Sequence, residues 1–294
     1  EMRFAIASND AALRFTGNTD QTSGRVLVMN GTTGGLVLEN DGSASADLNL
    51  GVVRSDEYGT KNLTLRGTNT GGAATIDAIQ ANIGVVNVVK NEANTWTIEG
   101  DSVYSGTTAV NAGTLLIDGD NSAATGDVTV AGGATLGGTG TIGGAISVLG
   151  GDGAAAPGGT ISAATSGGTA SDIGTLTLNS DLSAVAPLNG GNNATWLVDL
   201  NNAVSGESDL IAFGDISTRT LDLTNFNLSL NDFGTFNLST GFTYDIATYT
   251  DTGGALSTTF AGLGEGSQIT GSGGGQYFIT YGNQDGFGGD NYSI

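Results

Sequence analysis

The chain is patterned as many short runs in which apolar and polar residues alternate. The runs occupy residues 13–15, 26–28, 36–38, 48–50, 63–65, 86–88, 96–98, 115–117, 128–130, 146–148 and 176–178. Alternation with a period of two predicts short β-strands with one buried side. The segments between the runs are rich in Gly, Asn, Asp and Thr, which favour tight turns. Apolar residues at helical spacing are interrupted by Gly throughout, so the pattern predicts an all-β chain.

Two features favour a solenoid of stacked coils over other all-β architectures. A loose motif, in which a short alternating strand follows Gly, recurs at residues 113–119, 126–132, 144–150 and 174–179. Paired glycines such as Gly132-Gly133 would let successive coils approach closely. A single coil cannot bury its apolar face, and stacking closes a continuous core. On the pattern alone, a sandwich built from meander hairpins stays open as the alternative.

The pattern changes near residues 150–172, which are small and polar. Beyond them the runs lengthen and aromatic residues increase, at 195–200, 221–230, 242–246 and 277–281. We therefore predict solenoid repeats over residues 1–160 and a C-terminal β region over residues 161–294. That region continues the coils, or forms a cap or small sandwich, because an open last coil would expose a sheet edge that invites aggregation.

Charge is sparse and unevenly distributed. The 294 residues include 51 Gly, no Cys and no His, and carry a formal net charge of −21. Residues 91–294 contain a single base, Arg219, whereas the other seven bases lie within residues 1–90. A surface this acidic repels phosphate backbones and anionic lipids, so we expect no nucleic acid partner and no membrane insertion. We expect any export signal or anchor to lie outside these residues.

A family resemblance is carried by residues 94–115. The matching residues, in order, are Trp96, Tyr104, Gly106, Thr108, Val110, Gly113, Thr114 and Leu115. They resemble the autotransporter-associated β-strand repeat, in which a Trp-containing strand precedes Gly, Tyr-x-Gly-x-Thr, Val and Gly-Thr-Leu. Residues 133–144 and 156–158 resemble its continuation. The clear repeat thus covers residues 94–158, and residues 1–93 resemble diverged copies.

The resemblance implies a right-handed parallel β-solenoid (β-helix) on the exterior of a bacterial cell. The C-terminal third is similar to regions that follow such repeats in secreted proteins. Because these repeats are scaffolds in the family, the resemblance implies no enzymatic activity. We therefore expect an extracellular or cell-surface structural protein. An adhesin or glycan-binding passenger-like domain is the alternative function.

Catalytic chemistry has few candidate groups in this chain. Without His or Cys, the usual metal sites and the Ser-His-Asp and Cys-His systems are absent. Paired carboxylates remain as acid–base groups. They occur as Glu99 with Asp101, Asp118 with Asp120, and Glu207 with Asp209. We interpret them as turn residues facing solvent, so a polysaccharide-degrading enzyme is the least favoured function, and we predict no catalytic residue.

Calcium is the one cofactor that the residue types favour, because hard oxygen ligands in Gly-rich turns suit it. The candidate ligands are Asp118, Asp120, Asn121, Asp152, Asp285, Asp290 and Asn291. Residues 285–291 loosely resemble the Gly-Gly-x-Gly-x-Asp calcium repeat, although the spacing differs and the motif occurs once.

Two kinds of partner follow from the pattern. Met2, Phe4 and Ile6 alternate at the N-terminus and predict a strand whose edge is free to pair. We therefore expect the chain to associate with itself, head to tail, as a fibre or sheet subunit. Surface glycans are the alternative partner. The aromatic rings of Trp96, Tyr104 and Trp196 would either stack on sugars or pack in the core.

Overall fold

The computed structural model of the chain describes residues 1–5, 10–43, 45–164, 172–204, 206–215, 219–234, 243–250, 258–281 and 290–293. For residues 5, 215, 250 and 290–293 it describes the main chain alone. The described residues form β-strands and turns and contain no α-helix. Within these ranges there is accordingly no helix that would cross a membrane.

Four coils of three strands each form the N-terminal part. Their strands are β1 (Met2–Ala5), β2 (Ala11–Phe15), β3 (Gln21–Ser23), β4 (Leu27–Asn30), β5 (Gly35–Asn40), β6 (Leu48–Leu50), β7 (Val53–Ser55), β8 (Thr60–Arg66), β9 (Ala74–Ile76), β10 (Ile79–Ala81), β11 (Val85–Lys90) and β12 (Thr95–Ile98). Each strand pairs in parallel with its equivalent in the next coil, so Met2 lies beside Leu27 and Leu27 beside Val53. Equivalent residues are 25 to 27 positions apart in the first three coils, and 22 apart between β9 and β12.

The coils in the middle of the chain are shorter. Their strands are β13 (Thr108–Val110), β14 (Thr114–Ile117), β15 (Asp120–Asn121), β16 (Val128–Val130), β17 (Thr135–Gly137), β18 (Thr141–Ile142) and β19 (Ile146–Leu149). Trp96 pairs with Leu115, and Leu115 pairs with Leu136. Equivalent residues here are 18 to 21 positions apart.

The coils then become longer than those at the N-terminus. Their strands are β20 (Thr160–Ser162), β21 (Thr175–Leu178), β22 (Leu182–Val185), β23 (Ala194–Asn201), β24 (Leu210–Asp215), β25 (Leu221–Asp222), β26 (Phe226–Phe233) and β27 (Asp245–Thr250). Equivalent residues are now 32 to 39 positions apart. Parallel pairing therefore continues past residue 160 as far as β27. The division of the chain into domains at that residue stays a prediction.

Antiparallel strands follow the last coil. They are β28 (Gln268–Thr270), β29 (Gln276–Phe278), β30 (Thr280–Tyr281) and β31 (Asp290–Ser293). β31 lies antiparallel between β27 and β30, and β28 pairs with β29. The Ser272 main-chain N–H donates to the Leu230 carbonyl at 3.0 Å, and the Thr258 hydroxyl donates to the Leu221 carbonyl at 3.0 Å. These segments cover the end of the last coil.

The stacked strands give the molecule three sides. The first side runs β1-β4-β7-β10 and resumes as β15-β18-β21-β24-β27; the second runs β2-β5-β8-β11-β13-β16-β19-β22-β25; the third runs β3-β6-β9-β12-β14-β17-β20-β23-β26. Val103 joins the two parts of the first side, because it pairs in parallel with Gln80. The predicted parallel β-solenoid is confirmed.

A single core runs through short and long coils. Inside the third side, one row of stacked residues consists of Trp96, Leu115, Leu136, Ile161, Trp196 and Leu228. All six are buried. Burying an aliphatic or aromatic side chain contributes about 1.5–3 kcal/mol. Because the row is unbroken, the change in coil length does not interrupt the core.

Close stacking at the corner between the first and second sides requires glycine. Gly106, Gly126 and Gly144 occupy that corner in three successive coils. A Cβ atom on Gly126 would lie 2.0 Å from the Gly106 carbonyl oxygen, and one on Gly144 would lie 1.9 Å from that of Gly126. Because no side chain fits there, these glycines set the approach of the coils.

Candidate functional site

The corner between the second and third sides is tight in the short coils. β13 ends at Val110 and β14 begins at Thr114, so few residues make the turn. Gly113 has a positive φ of 67° there. A Cβ on it would lie 2.3 Å from the Glu92 carbonyl oxygen of the preceding coil. The corner therefore leaves no room for a side chain at Gly113.

The same corner carries two long loops in the next coils. We call these loops, residues 150–159 and 186–193, the shoulder. Five main-chain hydrogen bonds of 2.8 to 3.2 Å connect the two loops. The N–H groups of Gly151, Gly153 and Ala155 donate to the carbonyls of Asn192, Leu188 and Gly190, respectively. In the opposite direction, the N–H groups of Leu188 and Asn192 donate to the carbonyls of Gly151 and Ala156. This network holds the two loops against each other as one projecting layer.

The shoulder combines backbone strain with exposed apolar side chains. Ala155 and Asn189 adopt positive φ values of 59° and 50°. Asn tolerates this conformation, whereas it costs Ala155 about 1–2 kcal/mol. Leu188 of the shoulder and Val185, which ends β22 just before it, are 60% and 45% exposed. Loops that are held rigidly and present apolar side chains to solvent are typical of binding surfaces.

A row of threonines lies beside the shoulder on the third side. Its members, which pair in register across five coils, are Thr95, Thr114, Thr135, Thr160 and Thr195. Each is partly exposed, and neighbouring strands are about 4.8 Å apart. Because the two loops end just before the last two threonines, the row adjoins the shoulder, whose one charged residue is Asp152.

Comparison with known proteins relates this chain to autotransporter passengers. Residues 88–117 match a family model described as the passenger-associated-transport-repeat. The chain contains an autotransporter-associated repeat. The "Adhesin BmaC autotransporter" of Brucella suis biovar 1 (strain 1330) is 33% identical over 133 residues, which are 44% of this chain and 4% of that adhesin. The chain thus spans a small part of that relative's length. The family resemblance seen in the sequence is confirmed.

The aromatic rings considered for stacking on sugars lie in the core. Trp96, Tyr104 and Trp196 are 0%, 5% and 1% exposed. The Trp96 indole N–H donates to the Arg66 carbonyl at 3.1 Å, and the Tyr104 hydroxyl lies 2.8 Å from that of Thr108. The interpretation that these rings stack on sugars is therefore wrong, because no sugar reaches them. The core interpretation is confirmed.

The three predicted calcium ligands in the short coils already contact other groups of the protein. One Asp118 carboxylate oxygen accepts from the Thr139 main-chain N–H at 2.9 Å and from its hydroxyl at 3.2 Å. Asp120 is exposed, and hydrogen bonds from Ser122 lower the pKa of its carboxyl. Asn121 points inward and is buried. Exposed Asp120 and buried Asn121 therefore face different environments.

The other calcium candidates are dispersed. Asp152 lies in the shoulder, where it accepts from the Asn189 side chain at 2.7 Å. Asp285 lies outside the described residues, and so do the side chains of Asp290 and Asn291. Among the described side chains, no group of three acids is placed to hold a metal ion. Calcium binding stays a prediction.

The three carboxylate pairs do not form equivalent sites. Asp101 accepts from the Asp120 main-chain N–H at 3.0 Å, so this acid, like Asp118, joins adjacent coils at the surface. Asp209 is different, because it is only 2% exposed. Burial, with the charge of Asp199 adding to it, raises the pKa of Asp209 to about 8.

The sequence missed the partner of Asp209. Asp199 is fully buried in β23, and its main-chain N–H donates to the Asp209 carboxylate at 3.1 Å. Trp196, Val198 and Leu200 occupy the alternate positions of this strand, so alternation places Asp199 outward. It is buried because the chain folds back over it, and the Asp209 N–H donates to its carbonyl at 2.9 Å. The pair is closed to substrate.

The N-terminal association residues lie at an edge. Met2 is 39% exposed, and Phe4 is partly buried against the core. Ile6 lies outside the described residues. β1, β2 and β3 are the terminal strands of their sheets, so within the described ranges their outer edges pair with no other strand.

Proposed function

We propose that this chain is a segment of a bacterial surface passenger of the adhesin type, displayed outside the cell, and that the shoulder carries its binding surface. The match of residues 88–117 to the transport repeat, together with the adhesin relative, supports display and adhesion. The exposed Leu188, held on strained and mutually bonded loops, is the observation that supports binding at the shoulder.

The solenoid suits this role as a rigid support. Each coil adds about 4.8 Å along the axis, and each contacts its neighbours through the same core rows. A loop at a corner lengthens without altering strand register. The shoulder therefore projects from a stiff rod, which is the arrangement that favours contact with another surface.

Binding through the shoulder is tested with polar substitutions in the full chain, using a glycan array and immobilised host-surface proteins as probes. We expect Leu188→Asn together with Val185→Asn to weaken retention at least about tenfold, the loss typical of a central apolar contact. Val103→Asn is the matched control, because Val103 is 47% exposed on the first side. Equal retention of the shoulder variant and the wild type would contradict the proposal.

We further propose that the role is not catalytic. Asp101 and Asp118 accept hydrogen bonds from adjacent coils, and Asp209 is enclosed. We expect no release of reducing ends from neutral or acidic polysaccharides. Release that disappears in Asp118→Asn would contradict this expectation and restore the enzyme hypothesis.

Self-association is a second candidate function, supported by the open edges of β1, β2 and β3. The opposite end is covered by the antiparallel strands after β27. A head-to-tail contact would have to displace that cover, whereas two N-terminal edges can pair directly about a two-fold axis.

Association through the N-terminal edge is tested by deleting residues 1–8. We expect light scattering of the full chain to show a concentration-dependent increase in mass that the deletion abolishes. Negative-stain microscopy with and without Ca²⁺ distinguishes fibres from dimers. A wild-type chain that stays monomeric at high concentration would rule out this candidate.

A further inference from the structure

A buried pair of acids joins three successive coils at the corner between the third and first sides. Asp199 lies in β23, and its carboxylate accepts from the Asn231 side chain of β26 at 2.7 Å. Asp209 precedes β24, and its carboxylate accepts from the Gly174 main-chain N–H at 3.0 Å and lies 3.4 Å from the Ser162 hydroxyl of β20. The two acids therefore hold together the coils that contain β20, β23 and β26.

The chain around this pair is without basic residues, since residues 91–218 contain neither Lys nor Arg. The ion pairs of the described residues all lie within residues 1–66. The nearby charged residues on the adjoining elements are also acids. They are Asp172 before Gly174, Glu207 in the turn, Asp232 beside Asn231, and Asp245, whose carbonyl accepts from the Ser208 hydroxyl at 2.9 Å. Two enclosed negative charges without a cation are strongly unfavourable, so a proton is the available counter-charge.

We propose that Asp209, enclosed beside Asp199, keeps its proton at neutral pH, and that the two acids act as a clamp on this corner that weakens when alkaline conditions remove the proton. Deprotonation passes the proton to solvent and places a second negative charge in the closed corner. The fold-back after β23 is held to that strand by the bonds from Asn201 N–H to Glu207 O and from Asp209 N–H to Asp199 O, both 2.9 Å. The second charge is expected to weaken these two hydrogen bonds.

The direction of the pH effect follows from proton binding. Burial, with the charge of Asp199 adding to it, raises the pKa of Asp209 from 3.8 to about 8. Between these values the folded chain binds more protons than the unfolded chain. Stability therefore falls as pH rises through this range and levels off above it.

The test compares the melting temperature of the full chain at several pH values from 5 to about 9. We expect the wild type to melt several degrees lower at the alkaline end, and Asp209→Asn to show a much flatter profile. Asp127→Asn, which removes a charge from an exposed position, should keep the wild-type slope. A profile for Asp209→Asn as steep as that of the wild type would overturn the proposal.

A second measurement does not depend on the folding of that variant. We expect the wild type at neutral pH to show the infrared carbonyl band of a protonated carboxyl group, and Asp199→Asn to lose this band at a lower pH because the neighbouring charge is gone. The absence of the band from the wild type at neutral pH would likewise overturn the proposal.

Discussion

In the short coils the chain turns from the second side to the third within a few residues, whereas in the long coils the same corner holds the shoulder. The inner row continues across this change, since Leu136 pairs with Ile161 and Ile161 pairs with Trp196. The added residues thus lie partly at corners and partly in longer strands such as β23 and β26, and they leave the core register intact. Parallel pairing fixes which residues are neighbours in successive coils, but it does not fix how much chain connects one side to the next.

This difference separates scaffold from binding surface. The short coils contain the match to the passenger-associated-transport-repeat, and their corners are filled. The long coils contain the strained, exposed loops. A solenoid of this kind gains a new surface where one corner lengthens, while the neighbouring coils keep it in place.

The largest expected effect concerns the core that the two regions share. The Trp196 ring packs against Phe226 and Phe260, with ring centroids 6.1 Å and 5.4 Å apart. We expect Trp196→Ala to lower the free energy of unfolding of the long coils by about 3–5 kcal/mol, because it leaves a cavity between two coils and the covering segment. Denaturant unfolding measures the loss, and Trp196→Phe should lose much less. A loss below about 1 kcal/mol for the alanine variant would mean that the long coils do not depend on the shared core.

A smaller effect should distinguish the two kinds of corner. Gly113 and Gly153 both have positive φ, 67° and 108°. A Cβ on Gly113 would lie 2.3 Å from the Glu92 carbonyl oxygen, whereas a Cβ on Gly153 would meet no atom within 4 Å. We expect Gly113→Ala to cost about 2–4 kcal/mol and Gly153→Ala about 1 kcal/mol. Thermal melting of the two variants provides the measurement, and equal losses would show that the shoulder is packed as tightly as the short corners.

The sequence predicts the strands and their stacking well, because both depend on local alternation and on Gly at close approaches. The run Val86, Val88 and Lys90 shows how far this reasoning extends. Alternation places Lys90 inward, and it is fully buried, with its ammonium donating to the carbonyls of Asn91 and Glu92. Nothing in the residue type indicates those acceptors, since they are created by the turn.

The candidate site was less predictable for a related reason. The segment 150–159 is small and polar, and its composition indicates only a boundary. Its order comes from bonds to residues 186–193 in the next coil. The burial of Asp199 likewise depends on the chain folding back at Asp209. Such contacts join residues distant in sequence, so alternation and turn composition carry no signal for them.

The smallest expected effect concerns the acids at the coil surface. Asp118 accepts two hydrogen bonds from Thr139 in the next coil, whereas Asp152 accepts one from the Asn189 side chain. We expect Asp118→Ala to lower the free energy of unfolding by about 1 kcal/mol, because it leaves a main-chain N–H without its acceptor, and Asp152→Ala to change it by less than about 0.5 kcal/mol. Denaturant unfolding measures both.

The same measurement tests calcium binding. If Asp118 stabilises the chain through these bonds alone, the loss of unfolding free energy in Asp118→Ala is the same with and without millimolar Ca²⁺. A wild type stabilised by Ca²⁺, and an Asp118→Ala variant that is not, would instead support the calcium prediction for Asp118 and Asp120.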